Sequence, residues 1–540
     1  DGTFEKTENR YERLVSGSLK YRPVTVLIVA CLLATTAFMF FNTSSELAPE
    51  EDQGALFSVI QAPTYATSNY TQLYADQIGK VTDNISEAQT RFSVVGMGGA
   101  TNSAFYVWAL KPWGERDRSQ KQIQQQIQGE ISKVAGVQAY VFAPPTLPGT
   151  GGGLPVSVVI QSTGDPATVY RVADEIKKKA QASGKFIVVQ NSLNFDAPQV
   201  TVTIDRDRAA ALNVPVSDIG QTLGLLVGGG SIGQFDRESN SYDIITQVPQ
   251  KDRMNPESLK EYYVRSASGA MVPLSALVKI STTAAPQAIE QFNQLNSATI
   301  SALPLPGVTT GTGLQTIVDI AKPLLPDNFF IDYSGQSRLE VQQGNTILIA
   351  FILAVVVIYL VLAAQFESFR DPFIIMMSVP LSIFGAVLPL NIGLGTLNIY
   401  TQIGLITLIG LVTKHGILIV EFANQQRREG KGKFPAIVAA AKTRLRPILM
   451  TTAAMSLGVV PLIIAEGAGA AARYSMGLVI FSGILIGTCF TLFVVPMFYT
   501  LIAESDEKFE RKRQLRARNE SASRASGQHG PEGGEAQPAE

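Results

Sequence analysis

The tract GLVTKHGILIVEF, residues 410–422, places Lys414 in the middle of an apolar run that extends over 399–423. An ammonium at that depth of a bilayer cannot snorkel to either interface, and holding it there costs at least a few kcal/mol. Two readings follow. Either a water-filled crevice or helix-end carbonyls solvate the lysine, or it faces a bundle interior and couples ion movement to conformation. The second needs a carboxylate partner with which to exchange a proton or a salt bridge. The apolar runs offer none at the same depth. Glu421 lies on nearly the same helix face but two turns nearer the end, and Glu367, Asp371 and Glu466 sit in loops. The partner is therefore expected from outside this sequence. His415 follows Lys414 and points about 100° away from it. It reads as a buried neutral imidazole or as a second titrating group beside the first.

The elements that must carry this lysine are membrane helices. Charged residues make up 16% of the chain and hydrophobic ones 46%. That balance fits a membrane protein with a substantial water-exposed part rather than a plain globular enzyme. A net charge of −1 gives no reason to expect nucleic acid. A spanning helix needs about 20 apolar residues, and six runs qualify: 23–41, 346–363, 372–394, 399–423, 448–465 and 474–502. The first is too long for a cleavable signal, and the mixed-charge segment before it reads as the end of a preceding domain. Cys31 and Cys489 both lie in apolar runs and read as small core hydrophobes.

Lysine and arginine placement sets the orientation. The loop 424–447 carries Arg427, Arg428, Lys431, Lys433, Lys442, Arg444 and Arg446 against one acid, Glu429. The tail beyond 502 is similarly basic, and Arg10, Arg13, Lys20 and Arg22 precede the first run. Six crossings put all three segments on one side, the cytoplasmic one. The expected plan is a cytoplasmic lead-in over 1–22, a first span over 23–42, an external domain over 43–345, a five-helix part over 346–503, and a cytoplasmic tail over 504–540. From Ser521 the tail is rich in Ser, Gly, Glu, Pro and Ala and is expected to be disordered.

The external domain reads as α/β. Strand-like LFSVIQA, AFYVWAL, PVSVVIQ and QVTVTID alternate with amphipathic stretches such as SNYTQLYADQIGKVTDNI and DPATVYRVADEIKKKAQAS. Strand–helix–strand order recurs in 55–142 and 155–205, which predicts two split β-α-β subdomains separated by the linker PPTLPGTGGG, 144–153. GGGSIGQFDRESNSYD, 228–243, has the composition of a projecting loop or hairpin. In RFSVVGMGGATNSAFYVWAL, 91–110, a Gly-rich loop joins two strands. It lacks the sequence context of a phosphate cradle, and its glycines give the loop room to bend.

GLVTKHGILIVEFAN, RLRPILMT (444–451) and AEGAGAAARYSMG (465–477) together resemble the resistance-nodulation-division (RND) transporters, best the hydrophobe/amphiphile efflux branch of Gram-negative bacteria. The likeness covers about residues 10 to 505. It includes ELAPEEDQGALF (46–57), IDRDRAAALNV (204–214) and AAQFESFRDPF (363–373). The resemblance implies an inner-membrane proton/drug antiporter. Such a protein is a homotrimer of twelve-span chains that exports amphiphilic drugs through a periplasmic adaptor protein and an outer-membrane channel. It implies a fold of a six-span helical bundle plus an α+β periplasmic domain. Porter subdomains fall at about 50–142 and 150–205, and a docking subdomain at about 206–300. It implies a proton relay at Lys414, Arg444 and Thr451. A helix-interior threonine bonding its own backbone is the competing reading of Thr451. It also implies that Phe92, Val94, Met97 and Val107 line the substrate pockets, where ordinary core residues are the competing reading. His415 stands where many members carry asparagine, and the loop around Met97 looks shorter and less aromatic than theirs. No cofactor or metal is implied.

The chain opens with DGTFEKTENRYERL, without an initiator methionine, and its six spans with one large external loop are half of a duplicated plan. It therefore reads as a C-terminal half whose missing acids lie in an N-terminal half. Other classes fit worse. A heavy-metal exporter needs Met, His or Cys along its path, yet the external domain holds only Met97, Met254 and Met271 of these. A hydrolase needs a nucleophile–base pair or a metal cluster, and both histidines, His415 and His529, lie outside that domain. A half-sized scaffold or lipid carrier without proton-driven export gains nothing from a buried lysine.

Overall fold

The computed structural model describes residues 2–96, 100–148, 153–505 and 509. Met97, part of the 144–153 linker and nearly all of the tail lie outside the described residues.

Among the described residues, six helices are long and apolar enough to cross a membrane: Pro23–Asn42, Gly335–Phe366, Arg370–Leu394, Ile399–Arg428, Lys433–Ile463 and Ala470–Ile502. They are called the first to sixth spans. Each exceeds or matches the apolar run that announced it, because a helix need not stop where a bilayer does. The fifth begins at Lys433 rather than near 448, since the Ala-rich stretch after Lys433 favours helix in spite of its charges. Arg444 and Arg446, read as loop residues, thereby become helical. The third span breaks between Met376 and Val379 ahead of Pro380 and ends at Gly393, whose φ is +89°. The sixth lies along the third, fourth and fifth, and its glycines let them approach closely. An ideal Cβ on Gly487 would sit 2.7 Å from Ser382, and one on Gly483 would sit 2.3 Å from Leu408. Cys31 and Cys489 are exposed on the helices rather than in a core, because apolar side chains here face outward as readily as inward.

The α/β part contains two sheets of one design. In the first, the strand order is Ala88–Val95, Ser103–Leu110, Ala55–Gln61, Gln138–Phe142, with every neighbour antiparallel. Helices Ser68–Val81 and Gln120–Ile131 cover one face and bury Leu56, Ile60, Ile78, Trp108, Ile123 and Ile127. In the second, the order is Phe186–Asn191, Leu295–Pro304, Val156–Ser162, Phe329–Tyr333, again antiparallel, with helices Pro166–Ala182 and Thr310–Ala321. Both units run strand–helix–strand, strand–helix–strand.

They differ between the second and third strands. The first unit makes that turn through the short loop after Val95. The second is interrupted by a separate body over 197–285 with its own small core of Ala209, Val214, Ile219, Val264, Leu274 and Leu277. The strand QVTVTID, grouped by sequence with the second unit, instead belongs to Ala197–Ile204, which pairs antiparallel with Val278–Ala285 and forms the stem of the insertion. Local alternation fixes a strand but not its partner. From this body projects an exposed hairpin, Ser231–Arg237 with Asn240–Ile245, on which Phe235 and Tyr242 stack at 5.5 Å.

Candidate functional site

The fourth span is amphipathic in an unusual sense. One side, including Gly404, Leu408, Val412, His415, Gly416 and Ile419, is buried against its neighbours. The other side, with Ile403, Thr407, Gly410, Lys414 and Glu421, is uncovered. Lys414 thus leaves the bundle on its open side, where no described residue gives it an ion pair or hydrogen bond.

Arg444 lies on the fifth span, half-buried, with its guanidinium carbon 4.6 Å from the centre of the Phe422 ring on the fourth. This cation–π contact joins the fourth and fifth spans. Its Nε is buried without a hydrogen-bond partner among the described residues. Thr451 donates to its own helix, at 3.0 Å from the Pro447 carbonyl and 2.9 Å from that of Ile448. The three candidates thus occupy adjacent helices, with Lys414 and Arg444 reaching different surroundings and Thr451 bonded locally.

In the first sheet unit, Phe92 pairs directly with Val107, and Val94 with Phe105. Phe92, Val94 and Val107 share the helix-free face of the sheet, where Phe92 is 60% exposed. Nearer the second unit the same face is covered. There Phe57 meets Phe105 at 5.2 Å and Phe142 at 6.2 Å, and this aromatic patch packs with Leu154, Val188 and Leu303. A cleft of about 980 Å³ opens between the units, lined by Gln61, Asn102, Tyr140, Gln181, Gln190 and Asn191 among others. Phe92, Val94 and Val107 do not line it, and Met97 is outside the described residues. The cleft is lined by polar and apolar groups in similar measure and lies beside an exposed apolar sheet face.

Sequence reasoning attached no role to the acids of ELAPEEDQG, yet three of the four, Glu46, Glu51 and Asp52, hold junctions. Glu46 accepts from Thr396 Oγ1 at 2.5 Å, between the third and fourth spans. Glu51 accepts from the backbone of Ala471 and Ala472, at 3.3 and 2.6 Å, and so caps the positive end of the sixth span. Asp52 accepts from Arg116 at 2.5 Å, Gln120 N at 2.9 Å and Gly54 N at 3.1 Å. Burial pushes the Asp52 carboxyl up, but these donors outweigh it and hold it below the usual carboxylate range. One short segment therefore ties the first span to the bundle and to the first sheet. The available sequence signal was an acid-rich run directly after a span.

The profile of the AcrB/AcrD/AcrF family matches residues 1–503. The chain is 38% identical over 508 residues to an uncharacterized transporter of Haemophilus influenzae, covering 93% of this chain and 49% of that protein. It is 32% identical over 512 residues to the toluene efflux pump membrane transporter TtgB of Pseudomonas putida, covering 93% and 48%. The multidrug export protein AcrF of Escherichia coli gives 32% over 512 residues, covering 93% and 49%. The sequence, with six candidate spans and a strand-rich domain, thus defines a multi-pass membrane protein of the RND efflux class. The chain belongs to the AcrB/AcrD/AcrF family and spans about half the length of the curated relatives it matches.

Proposed function

We propose that this chain works as the C-terminal half of an inner-membrane proton/drug antiporter that exports amphiphilic compounds from the periplasm and outer leaflet. The observation that carries this reading is Lys414 on the uncovered side of the fourth span. An ammonium at bilayer depth calls for a carboxylate, and the open face leaves room for a second bundle to supply one. In this reading an N-terminal half brings the acids. Protonating them releases Lys414, and the released charge shifts the fourth and fifth spans against each other. Arg444 and Thr451 complete the relay on the fifth span.

The sheet units over about 50–142 and 150–191, the latter completed by 290–333, serve as porter subdomains outside the membrane. The body over 197–285 serves as the docking part, and its exposed hairpin suits contact with another copy in a homotrimer. Drug enters at the cleft between the units and passes the face carrying Phe92, Val94 and Val107, with Met97 in the adjoining loop. A periplasmic adaptor protein and an outer-membrane channel complete the route. The relatives' names, toluene efflux and multidrug export, support an apolar or amphiphilic substrate class.

The test is dye efflux from cells carrying the complete transporter with Lys414→Ala, with protein level and trimer formation measured alongside. Loss of efflux with the trimer intact is expected. Retained efflux overturns the relay and leaves Lys414 as a solvated lysine.

A further inference from the structure

His415 is fully buried, and it touches two of the helices that pack against its own. Its Nε2 lies 3.5 Å from Thr452 Oγ1 on the fifth span, and its Nδ1 lies 3.3 Å from Thr488 Oγ1 on the sixth. The two threonine hydroxyls are 3.3 Å from each other. One ring and two hydroxyls therefore form a closed triangle across three spans.

Two proton arrangements are open to the ring. A neutral imidazole has one N–H and one accepting nitrogen, and each hydroxyl has one proton and free lone pairs. Nε2–H donates to Thr452, Thr452 donates to Thr488, and Thr488 donates to Nδ1. Reversing all three satisfies the triangle equally. An imidazolium closes no such cycle, yet both its N–H groups could donate to the hydroxyls while these donate to their own helices, at 2.9 Å to the Ile448 carbonyl and 2.6 Å to that of Ile484. What selects the neutral ring is its full burial with no carboxylate against it among the described residues. Because both hydroxyls have that outlet in their own helices, losing the ring strands no buried donor. The triangle's sides are long, so it supplies position more than energy.

Position matters because of what adjoins the triangle. Lys414 precedes His415 and Thr451 precedes Thr452. Each step of one residue turns about 100° around a helix. His415 and Thr452 meet on the buried side, which sends Lys414 to the open side and fixes Thr451 relative to it. A rotation of the fourth span by about 20° would carry an ammonium about 8 Å from the helix axis through about 3 Å, the length of a hydrogen bond.

We propose that neutral His415 is a positioning residue of the relay: through Thr452 and Thr488 it sets the rotation of the fourth span on the fifth and sixth, and so the place where Lys414 meets its partner. This rests on the relay reading above. It assigns His415 no proton-carrying role.

The test uses the complete transporter reconstituted in proteoliposomes with a fluorescent dye. His415→Leu removes both bonds and keeps bulk. It should lower the maximal transport rate about tenfold or more, leave the KM for dye unchanged, and move the midpoint of the pH profile. His415→Gln reaches as far as Nε2 and should restore most of the rate and the parental midpoint through Thr452. Parental transport by His415→Leu overturns the proposal, and so does a His415→Gln variant as impaired as the leucine one. If His415→Leu does not accumulate as a trimer, Thr452→Val with Thr488→Val keeps the ring and removes its partners, and the same loss is expected. A second readout is independent of transport: the ¹⁵N signals of His415, assigned by difference from the His415→Gln protein. They should show a neutral ring from pH 5 to 8 and shift in Thr452→Val. A signal that titrates in that range overturns the positioning role. If Lys414→Ala transports at the parental rate, the relay reading fails, and the ¹⁵N result still decides whether the triangle holds a neutral ring.

Discussion

Along the fourth span, Gly404, Leu408, His415 and Gly416 are enclosed by neighbouring helices, whereas Ile403, Thr407, Gly410 and Lys414 on the opposite side are uncovered. The enclosed side obeys the rules of a packed core: small residues where backbones approach, and a polar group only where partners await it. The uncovered side obeys neither, since it carries a lysine with no partner among the described residues and a glycine with nothing within 4 Å of an added Cβ. The difference teaches that one side is finished within the described residues, while the other is the side on which the proposed second half would pack.

Glycines break the comparison most sharply. A Cβ on Gly416 would sit 2.9 Å from the Ile375 side chain and 3.4 Å from its backbone. Gly416→Val should therefore cost about 1–3 kcal/mol, read as a fall in melting temperature and trimer yield. Gly410→Leu meets no such neighbour in this chain. It should leave the yield of folded protein unchanged and still reduce dye efflux, because the proposed second half packs there. Full efflux from Gly410→Leu would mean that this side is never covered.

Thr451 and Thr452 sharpen the same contrast one helix away. The Thr451 hydroxyl is already bonded within its own helix, so Thr451→Val should change the melting temperature by little. Its transport rate should fall about tenfold if the hydroxyl carries or orients the relayed proton. A variant with parental transport would leave Thr451 as an ordinary helix threonine.

How much of this was readable in the sequence depended on range. Lys414 announced itself because its cost is local: one charge in one apolar run. The six spans were readable for the same reason, but their ends were not. Length and hydropathy report the bilayer, whereas the helix over Lys433–Ile463 continues past it on Ala-rich sequence. The recurrent strand–helix–strand order was visible, but the closing strands of the second sheet, Leu295–Pro304 and Phe329–Tyr333, lie beyond an insertion that local patterning cannot bridge. The acids of ELAPEEDQG were opaque for the same reason, since the partners of Glu51 lie 420 and 421 residues away. Which side of the fourth span was finished could be read only from the packing.

Arg444 tests a smaller difference. Its guanidinium sits over Phe422 at 4.6 Å, a geometry that a planar, delocalised cation exploits better than an ammonium. Arg444→Lys should weaken the contact by about 0.5–1 kcal/mol and slow transport by a few-fold, without the complete loss expected of Lys414→Ala. Phe422→Leu should reproduce the stability change. If Arg444→Lys transports normally while Arg444→Ala does not, charge alone is what the relay needs there.

The weakest effects lie outside the spans, where a buried glutamate and a half-buried one repeat the finished and unfinished cases with opposite sign. Glu87 accepts from Arg118 at 2.5 and 2.6 Å, and this pairing holds its carboxyl down at about 2 against an ordinary 4.5. Its charged form supports the fold at neutral pH, and that support disappears as pH falls from about 4.5 to about 2. Glu46 is different: burial first, and then the neighbouring Glu50, push its carboxyl up, only partly offset by the Thr396 hydroxyl. Its charge opposes the fold at neutral pH, and the opposition is relieved as pH falls through its raised value. Glu87→Gln should therefore lower the melting temperature at pH 7, by a margin that closes as the pH is lowered toward 2. Glu46→Gln keeps an oxygen for Thr396 and should raise the melting temperature slightly at pH 8, with the gain vanishing toward pH 4. A Glu46→Gln protein less stable than its parent at pH 8 would mean that the Glu46 carboxylate meets a cation at this junction once the proposed second half is in place, which would carry the contrast between finished and unfinished surfaces beyond the membrane.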